Sequence, residues 1–436
     1  MRTAGRTVLF FPWSHGVGFG YVGRSLTLAK ELAPHGISCV FASDTKEGHV
    51  AREGFPLADP DDAYATAVPD MGARQGAYIA LDGLDTVFAM ARYYHRSRLE
   101  DEVEANLRLI KDVRPDLVVV DLSPTGALAA RIAGVPLLSI GDSDYYRDDD
   151  LCWMPPVDGS RVRRPYPSCL PAFNEILTRH GLPAAAHVSD LLWGDRTLIA
   201  STEPLERPQP PIAVRGPMEM VGPVEWRPAD PPPAGNDGLG DFGTPGRRLY
   251  VSLGHGGKYT AEQLTTLISA ATGAGWSCLV GAGFRPPPGF ELPERDARRV
   301  RSSPFAGLDA PLDWADAVVH HGGYTTVFAA LRRSRPAVVL PFMTEQEANA
   351  VNFVEAHGGG FRLRSLTLGT GRDYLSFDHR YRPASTDPTL QTSDVTQALD
   401  EIGDGTHVPP ADIAASINDT VARRDLLTSV ATTGNW

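Results

Sequence analysis

Twice along this chain a short apolar run leads into a glycine-rich loop and then a helical pattern closed by glycine. Thr7 to Pro12 reads TVLFFP, followed by SHGVGFGYVG and RSLTLAKELAPHG. Arg248 to Gly254 reads RLYVSLG, followed by HGGKY and TAEQLTTLISAATGAG. A strand, a glycine loop and a glycine-terminated helix form the first unit of a doubly wound α/β domain. Further apolar runs follow each opening unit: ISCVFAS, DLVVVD and VPLLSI in the first half, WSCLVGAG, DAVVHH and AVVLPF in the second. Unbroken by polar alternation, they suit parallel strands covered on both faces. Between the halves, Arg227 to Gly246 is rich in Pro, Gly and Asp, which is linker composition.

At 436 residues the chain exceeds the size at which one core keeps growing. The expected architecture is therefore two Rossmann-like doubly wound domains facing across a cleft. Residues 1–225 form the first and 248–436 the second, 226–247 link them, and the last helix is a candidate to pack back on the first domain. Segments 60–100, 144–175 and 367–391 interrupt the pattern and are expected as loops or short helices at the cleft rim.

Bulk properties exclude several classes. A formal charge of −12 argues against nucleic acid or an anionic membrane as partner. The basic cluster Arg298 to Arg301 is diluted by Glu291, Glu294 and Asp296. Cys39, Cys152, Cys169 and Cys278 have no CxxC spacing, so neither a zinc site nor a disulfide framework is signalled. The apolar run at the N-terminus is too short for a signal peptide, and no stretch approaches the roughly 20 apolar residues of a membrane span. These features set an expectation of a cytoplasmic monomer or homodimer.

The stretch HHGGYTTVFAALRRSRPAVVLPFMTEQEANAVNF, from His320 to Phe353, carries the most chemistry. DAVVHHGG ends a strand and TTVFAALRR begins a helix, so His321, Gly322 and Gly323 occupy the turn between them. A helix start offers unpaired N–H groups and partial positive charge, which suits a diphosphate. The glycines admit close backbone approach, and Thr325 or Thr326 is positioned to cap the helix and bond a phosphate oxygen. His321 is a further donor. Glu345 and Gln346, a carboxylate beside an amide, suit adjacent sugar hydroxyls.

These residues resemble the GT-B glycosyltransferases, especially the natural-product family that uses UDP- or TDP-sugars. The family pattern His-Gly-Gly-x-Gly-Thr, then Ala-Leu, Pro, Pro, Asp-Gln and Asn-Ala meets His321-Gly322-Gly323-Tyr324-Thr325-Thr326, Ala330-Leu331, Pro336, Pro341, Glu345-Gln346 and Asn349-Ala350. The resemblance implies that His321, Gly323, Tyr324, Thr325 and Thr326 surround the diphosphate, with Glu345 and Gln346 on the donor sugar. It further implies Phe305 and Leu308 at the nucleobase and Gly254 and His255 beside the phosphates. No metal or resident cofactor is implied, since the helix start and His321 stabilise the leaving diphosphate.

In that family a histidine after the first strand deprotonates the acceptor and an aspartate orients the histidine. Asp121 stands at the aspartate position, its alternative being to cap the next helix at Thr125. At the histidine position stands Tyr21, in Gly20-Tyr21-Val22-Gly23-Arg24. An unperturbed tyrosine is phenolate in roughly one molecule per thousand at pH 7. His15, six residues earlier, has the ordinary range of a general base. The alternatives are that Tyr21 positions the acceptor, that a carboxylate of GDSDYYRDDD is the base, or that the acceptor is an amine needing little activation. The acidic segment GDSDYYRDDD offers Asp142, Asp144 and Tyr145 to a polyhydroxylated or cationic acceptor, its alternative being a solvated loop. The expected reaction is inverting, metal-independent transfer of a sugar from a UDP- or TDP-sugar to a small-molecule acceptor, of the secondary-metabolite kind. The Tyr21 departure keeps open a catalytically silent sugar-nucleotide-binding homologue, and GT-B enzymes with altered chemistry (an epimerase or a cyclitol-coupling transferase).

Overall fold

The computed structural model describes residues 5–13, 19–45, 48–58, 83–147, 167–207, 211–227, 239, 241–252, 254, 259–281, 289–290, 298–303, 307–363 and 392–434. Two six-stranded parallel sheets form its frame. The first contains β1 (Thr7–Pro12), β2 (Ser38–Phe41), β3 (Leu117–Asp121), β4 (Leu137–Gly141), β5 (Arg196–Ile199) and β6 (Met218–Met220), ordered β2-β1-β3-β4-β5-β6. The second contains β7 (Arg248–Ser252), β8 (Ser277–Gly281), β9 (Val300–Ser303), β10 (Ala317–His320), β11 (Ala337–Val339) and β12 (Gly360–Arg362), ordered β12-β11-β10-β7-β8-β9.

That order dictates where a ligand belongs. β1 sends its chain to β2 on one side and pairs with β3 on the other, and β7 does the same between β8 and β10. Ligands of open α/β sheets sit in the crevice at such a switch point, beyond the carboxyl ends of the strands. In the first sheet those ends are Pro12 and Asp121, which are register partners. In the second they are Ser252 and His320, also partners.

The helices beside these points are set by local sequence. Gly20–Leu32 buries Val22, Leu26 and Ala29, an apolar stripe at helical spacing, together with Arg24 and Ser25. It ends in the turn Ala33–His35, followed by Gly36 at φ 76°. Pro124–Ala133 begins with proline at its first turn, and the Ser123 side chain accepts from the Gly126 N–H. Its last turn closes on Gly134 in the left-handed conformation. Asp121 therefore does not cap this helix: Ser123 does, and Thr125 donates instead to Glu102 at 2.8 Å.

The halves share cores. Ala200 and Leu205 of the first pack in one cluster with Val327, Phe328 and Phe353 of the second. Ala348 enters the cluster holding Tyr145 and Leu191. The chain-terminal helix Leu426–Thr433 buries Leu426 and Val430 among Phe10, Leu26 and Ala29. Arg332 also pairs with Glu225 at 3.1 Å, and Arg424 with Glu31 at 3.2 Å.

The interrupting segments are partly helical: Leu84–Met90, Arg96–Val113 and Leu170–Arg179 are helices. Residues 59–82, 148–166 and 364–391 lie outside the described residues. Cys39, Cys169 and Cys278 are buried free thiols. No helix among the described residues is long and apolar enough to cross a membrane.

Candidate active site

The two histidines at the end of β10 have separate jobs. His320 is fully buried, and its Nδ1 accepts the N–H of Gly322 at 3.0 Å, which leaves the ring proton on Nε2. Burial, with His321 next to it, pushes its pKa down to about 3, so it is a neutral fastener of the turn. His321 is half-buried, and its ring lies against two glycines. A Cβ at Gly254 would stand 2.7 Å from His321 Nδ1, and one at Gly323 2.5 Å from Nε2. Gly254 also has φ +66°, which disfavours any side chain. At Gly322, with φ +91°, a Cβ would meet the Gln346 carbonyl at 2.6 Å, so only glycine lets the turn lie against the helix that carries Glu345.

The helix Tyr324–Leu331 starts at Gly323 with no side-chain cap. Neither Thr325 nor Thr326 serves as the cap; the Thr326 N–H turns back to the Gly323 carbonyl at 3.0 Å, and an anion would take the first-turn N–H groups ahead of it. Across from it begins the helix Gly20–Leu32, where a Cβ on Gly20 would lie 3.8 Å from Thr325 Oγ1. Tyr324 stacks on Phe328, with ring centroids 4.5 Å apart, and its hydroxyl faces Ser143 of the first half. Leu308 precedes the helix Asp309–Trp314 and packs on the cluster containing Trp314 and Val327. His15, His255 and Phe305 lie outside the described residues.

Glu345 and Gln346 stand in the first turn of the helix Thr344–Asn349. Asn349 Nδ2 donates to Glu345 Oε1 at 2.7 Å and to the Gly322 carbonyl at 2.9 Å, tying the carboxylate to the glycine turn. Gln346 Oε1 accepts from the Phe342 N–H at 2.9 Å, which orients its amide. Burial, then the charges of Asp142 and Asp144, push Glu345 up to about 8. Those aspartates belong to the other half, so donor-side and acceptor-side groups meet here.

On the first half, Arg24 organises the site. Its Nε donates to Asp121 Oδ2 at 2.7 Å and its Nη2 to Asp121 Oδ1 at 2.8 Å, a bidentate fork. Its Nη1 donates to Asp142 Oδ1. Both aspartates are buried, Asp121 with no exposure at all. Burial raises Asp121 to about 7 even against the pull of Arg24. The Arg24 guanidinium lies 5.5 Å from the Tyr21 ring centroid, and the Tyr145 hydroxyl donates to the Tyr21 hydroxyl at 3.1 Å. Burial, with Glu345 and Asp142, pushes the Tyr21 phenol well up, so it stays neutral.

Comparison with known proteins bears on this arrangement. The glycosyltransferase family 28 C-terminal domain matches residues 292–367, which span the His-Gly-Gly turn and the Glu345-Gln346 pair. A PGL/p-HBAD biosynthesis rhamnosyltransferase of Mycobacterium bovis (strain BCG / Pasteur 1173P2) is 28% identical over 395 residues, 84% of this chain and 79% of that protein. Among solved structures, the spinosyn forosaminyltransferase SpnP superposes with a TM-score of 0.64 at 17% identity, covering 99% of this chain and 100% of that one. The spinosyn rhamnosyltransferase SpnG gives 0.61 at 17% identity, with the same two coverages. The chain has the GT-B fold, and its similarities are to glycosyltransferases.

For this glycosyltransferase two sequence expectations change. In the described part of the acidic segment, residues 141–147, the side chains are not solvated: Asp142 is held by Arg24, and Asp144 is buried against Arg147 at 3.2 Å. Arg147 in turn pairs with Glu206, which Ser201 also bonds. Both aspartates are thus internal ion-pair partners rather than open ligand contacts. Asp121, expected to orient a histidine, is gripped by an arginine. Arg24 was the residue sequence reasoning passed over. Its signal was its place three residues after Tyr21, one helical turn away on the same face.

Proposed function

We propose that this glycosyltransferase moves a sugar from a UDP- or TDP-sugar to a small-molecule acceptor, with inversion and without a metal. The observation that carries the reading is that Met343 and Ala348, on either side of Glu345, pack in one cluster with Tyr21 and Tyr145, while Asn349 ties Glu345 to the Gly322 carbonyl beside His321. That puts a hydroxyl-binding carboxylate, an open helix start and the acceptor-side helix around one point. The donor diphosphate lies at the start of Tyr324–Leu331 with His321, Gly323, Thr325 and Thr326, and with His255 from the loop after β7. Phe305 and Leu308 flank the base. Glu345 and Gln346 hold donor-sugar hydroxyls. That SpnG has been solved with thymidine diphosphate favours a TDP-sugar as donor.

The acceptor oxygen attacks the anomeric carbon as the nucleoside diphosphate leaves, and His15 takes the acceptor proton. Tyr21 touches the acceptor as a neutral phenol. His321 and the helix start stabilise the charge that develops on the leaving group. Release of TDP from TDP-rhamnose, or UDP from UDP-glucose, in the presence of EDTA tests the activity. Tight TDP binding with no turnover of either sugar nucleotide contradicts it.

A second reading has one specific observation in its favour. Asp121 is committed to Arg24, and Tyr21 stands where the family keeps a histidine, as in a silent homologue that binds sugar nucleotides without transferring. Changing His15 to Ala separates the two, because a silent protein has no turnover to lose.

A further inference from the structure

Arg24 is a fully enclosed cation, 2% exposed, with three partners from three separate elements. It spans the ends of β3 and β4 and the first turn of the helix after β1. The fork on Asp121 fixes the guanidinium plane, Asp142 fixes its third nitrogen, and the Tyr21 ring lies beside its carbon at 5.5 Å. A lysine offers a point charge with no plane to set and no fork to share.

The switch-point geometry gives this arrangement a purpose. Asp121 and Pro12 are register partners at the carboxyl edge of the first sheet, directly below the crevice. An aspartate there with no counter-charge would repel Asp142, which Arg24 also holds. Arg24 offsets both aspartates, and Met343 and Ala348, on either side of Glu345, pack in one cluster with Tyr21. Tyr145 then holds the Tyr21 hydroxyl from the other side.

Resting on the glycosyltransferase reading above, we infer that Arg24 is a positioning residue for sugar transfer. Clamped to Asp121 and Asp142, it fixes the Tyr21 ring so that the phenol hydroxyl meets the substrate on the side facing Glu345. The Asp121 carboxylate accordingly acts on the reaction through Arg24.

The test uses the full chain with TDP and TDP-rhamnose. Arg24→Lys keeps a charge and loses the fork; Tyr21→Phe removes one hydroxyl and leaves the buried ion pairs intact. Both variants should bind TDP within about twofold of the parent. Tyr21→Phe should lower kcat for TDP release at least tenfold with KM little changed, and Arg24→Lys should do at least as much. The double variant should lose no more than the worse single one, since both changes remove the same contact. Parent-like kcat in Tyr21→Phe, or multiplicative losses in the double variant, overturns the inference. If Arg24→Lys fails to fold, Tyr21→Phe with Asp121→Asn replaces it, and the same coupling is required. Failure of the parent chain to bind TDP at all overturns the functional reading, and this inference with it; binding with normal turnover in Tyr21→Phe overturns the inference alone.

Discussion

Replacing Gly254 by alanine isolates what the His321 ring does. Gly254 sits just beyond β7 at φ +66°, and an alanine Cβ would lie 2.7 Å from His321 Nδ1 and closer still to Cε1. The imidazole is the part able to yield, so it swings off the mouth of the helix start. A left-handed alanine costs about 1–2 kcal/mol of stability in its own right. Losing a hydrogen bond to an ionised phosphate costs about 1.5–3 kcal/mol of binding, or roughly 10- to 150-fold in TDP affinity. Calorimetric titration with TDP measures the second quantity. Gly134→Ala is the matched control, since Gly134 shares φ +66° but has nothing within 4 Å of its Cβ position. It should melt lower and bind TDP normally. Equal TDP affinity in Gly254→Ala and the parent would refute the role given to His321.

Three other outcomes follow from the geometry. Glu345→Gln should leave TDP affinity unchanged and reduce kcat/KM for TDP-rhamnose by roughly 2- to 10-fold at neutral pH, the scale of a neutral hydrogen bond; an unchanged kcat/KM counts against a sugar contact. Gly323→Ala, whose Cβ would stand 2.5 Å from His321 Nε2, should weaken TDP as Gly254→Ala does, and parent-like titration would contradict that. Stability should fall between pH 6.5 and 8. Glu345 holds its proton in the fold to about pH 8, whereas in an unfolded chain a glutamate releases it near pH 4. The folded state therefore binds more protons across that window, and raising the pH favours unfolding. Buried His320, held to about 3, adds its own penalty only below pH 6.5, where an unfolded histidine protonates. Glu345 contributes at most about 2 kcal/mol, less for the part that solvent screens. Melting temperatures that stay level or climb from pH 6.5 to 8 would contradict this.

Strand β1 was legible to the residue because TVLFFP is an unbroken apolar run between polar and glycine punctuation. The same holds for the cores of β3, β7 and β10. Strands β6, β9 and β12 were not, because three or four residues such as Met218–Met220 and Gly360–Arg362 carry no period of their own. They exist because a neighbouring strand supplies the ladder. The His-Gly-Gly turn and Glu345-Gln346 could be read because their partners are close in sequence: Asn349 is four residues from Glu345, and Gly322 is two from His320. Arg24 could not be assigned, since its partners lie 97 and 118 residues away. The same distance problem made Asp144 look solvated. Its counter-ion Arg147 is near, but the burial that makes the pair internal comes from Glu206 and from packing of the two halves.

The account depends on a diphosphate lying where β10 turns into the helix Tyr324–Leu331. A crystal structure of the chain soaked with TDP measures that directly. The β-phosphate should sit within about 3 Å of the His321 ring and of backbone N–H groups in the first turn. TDP bound elsewhere, with that turn unengaged, would contradict the account.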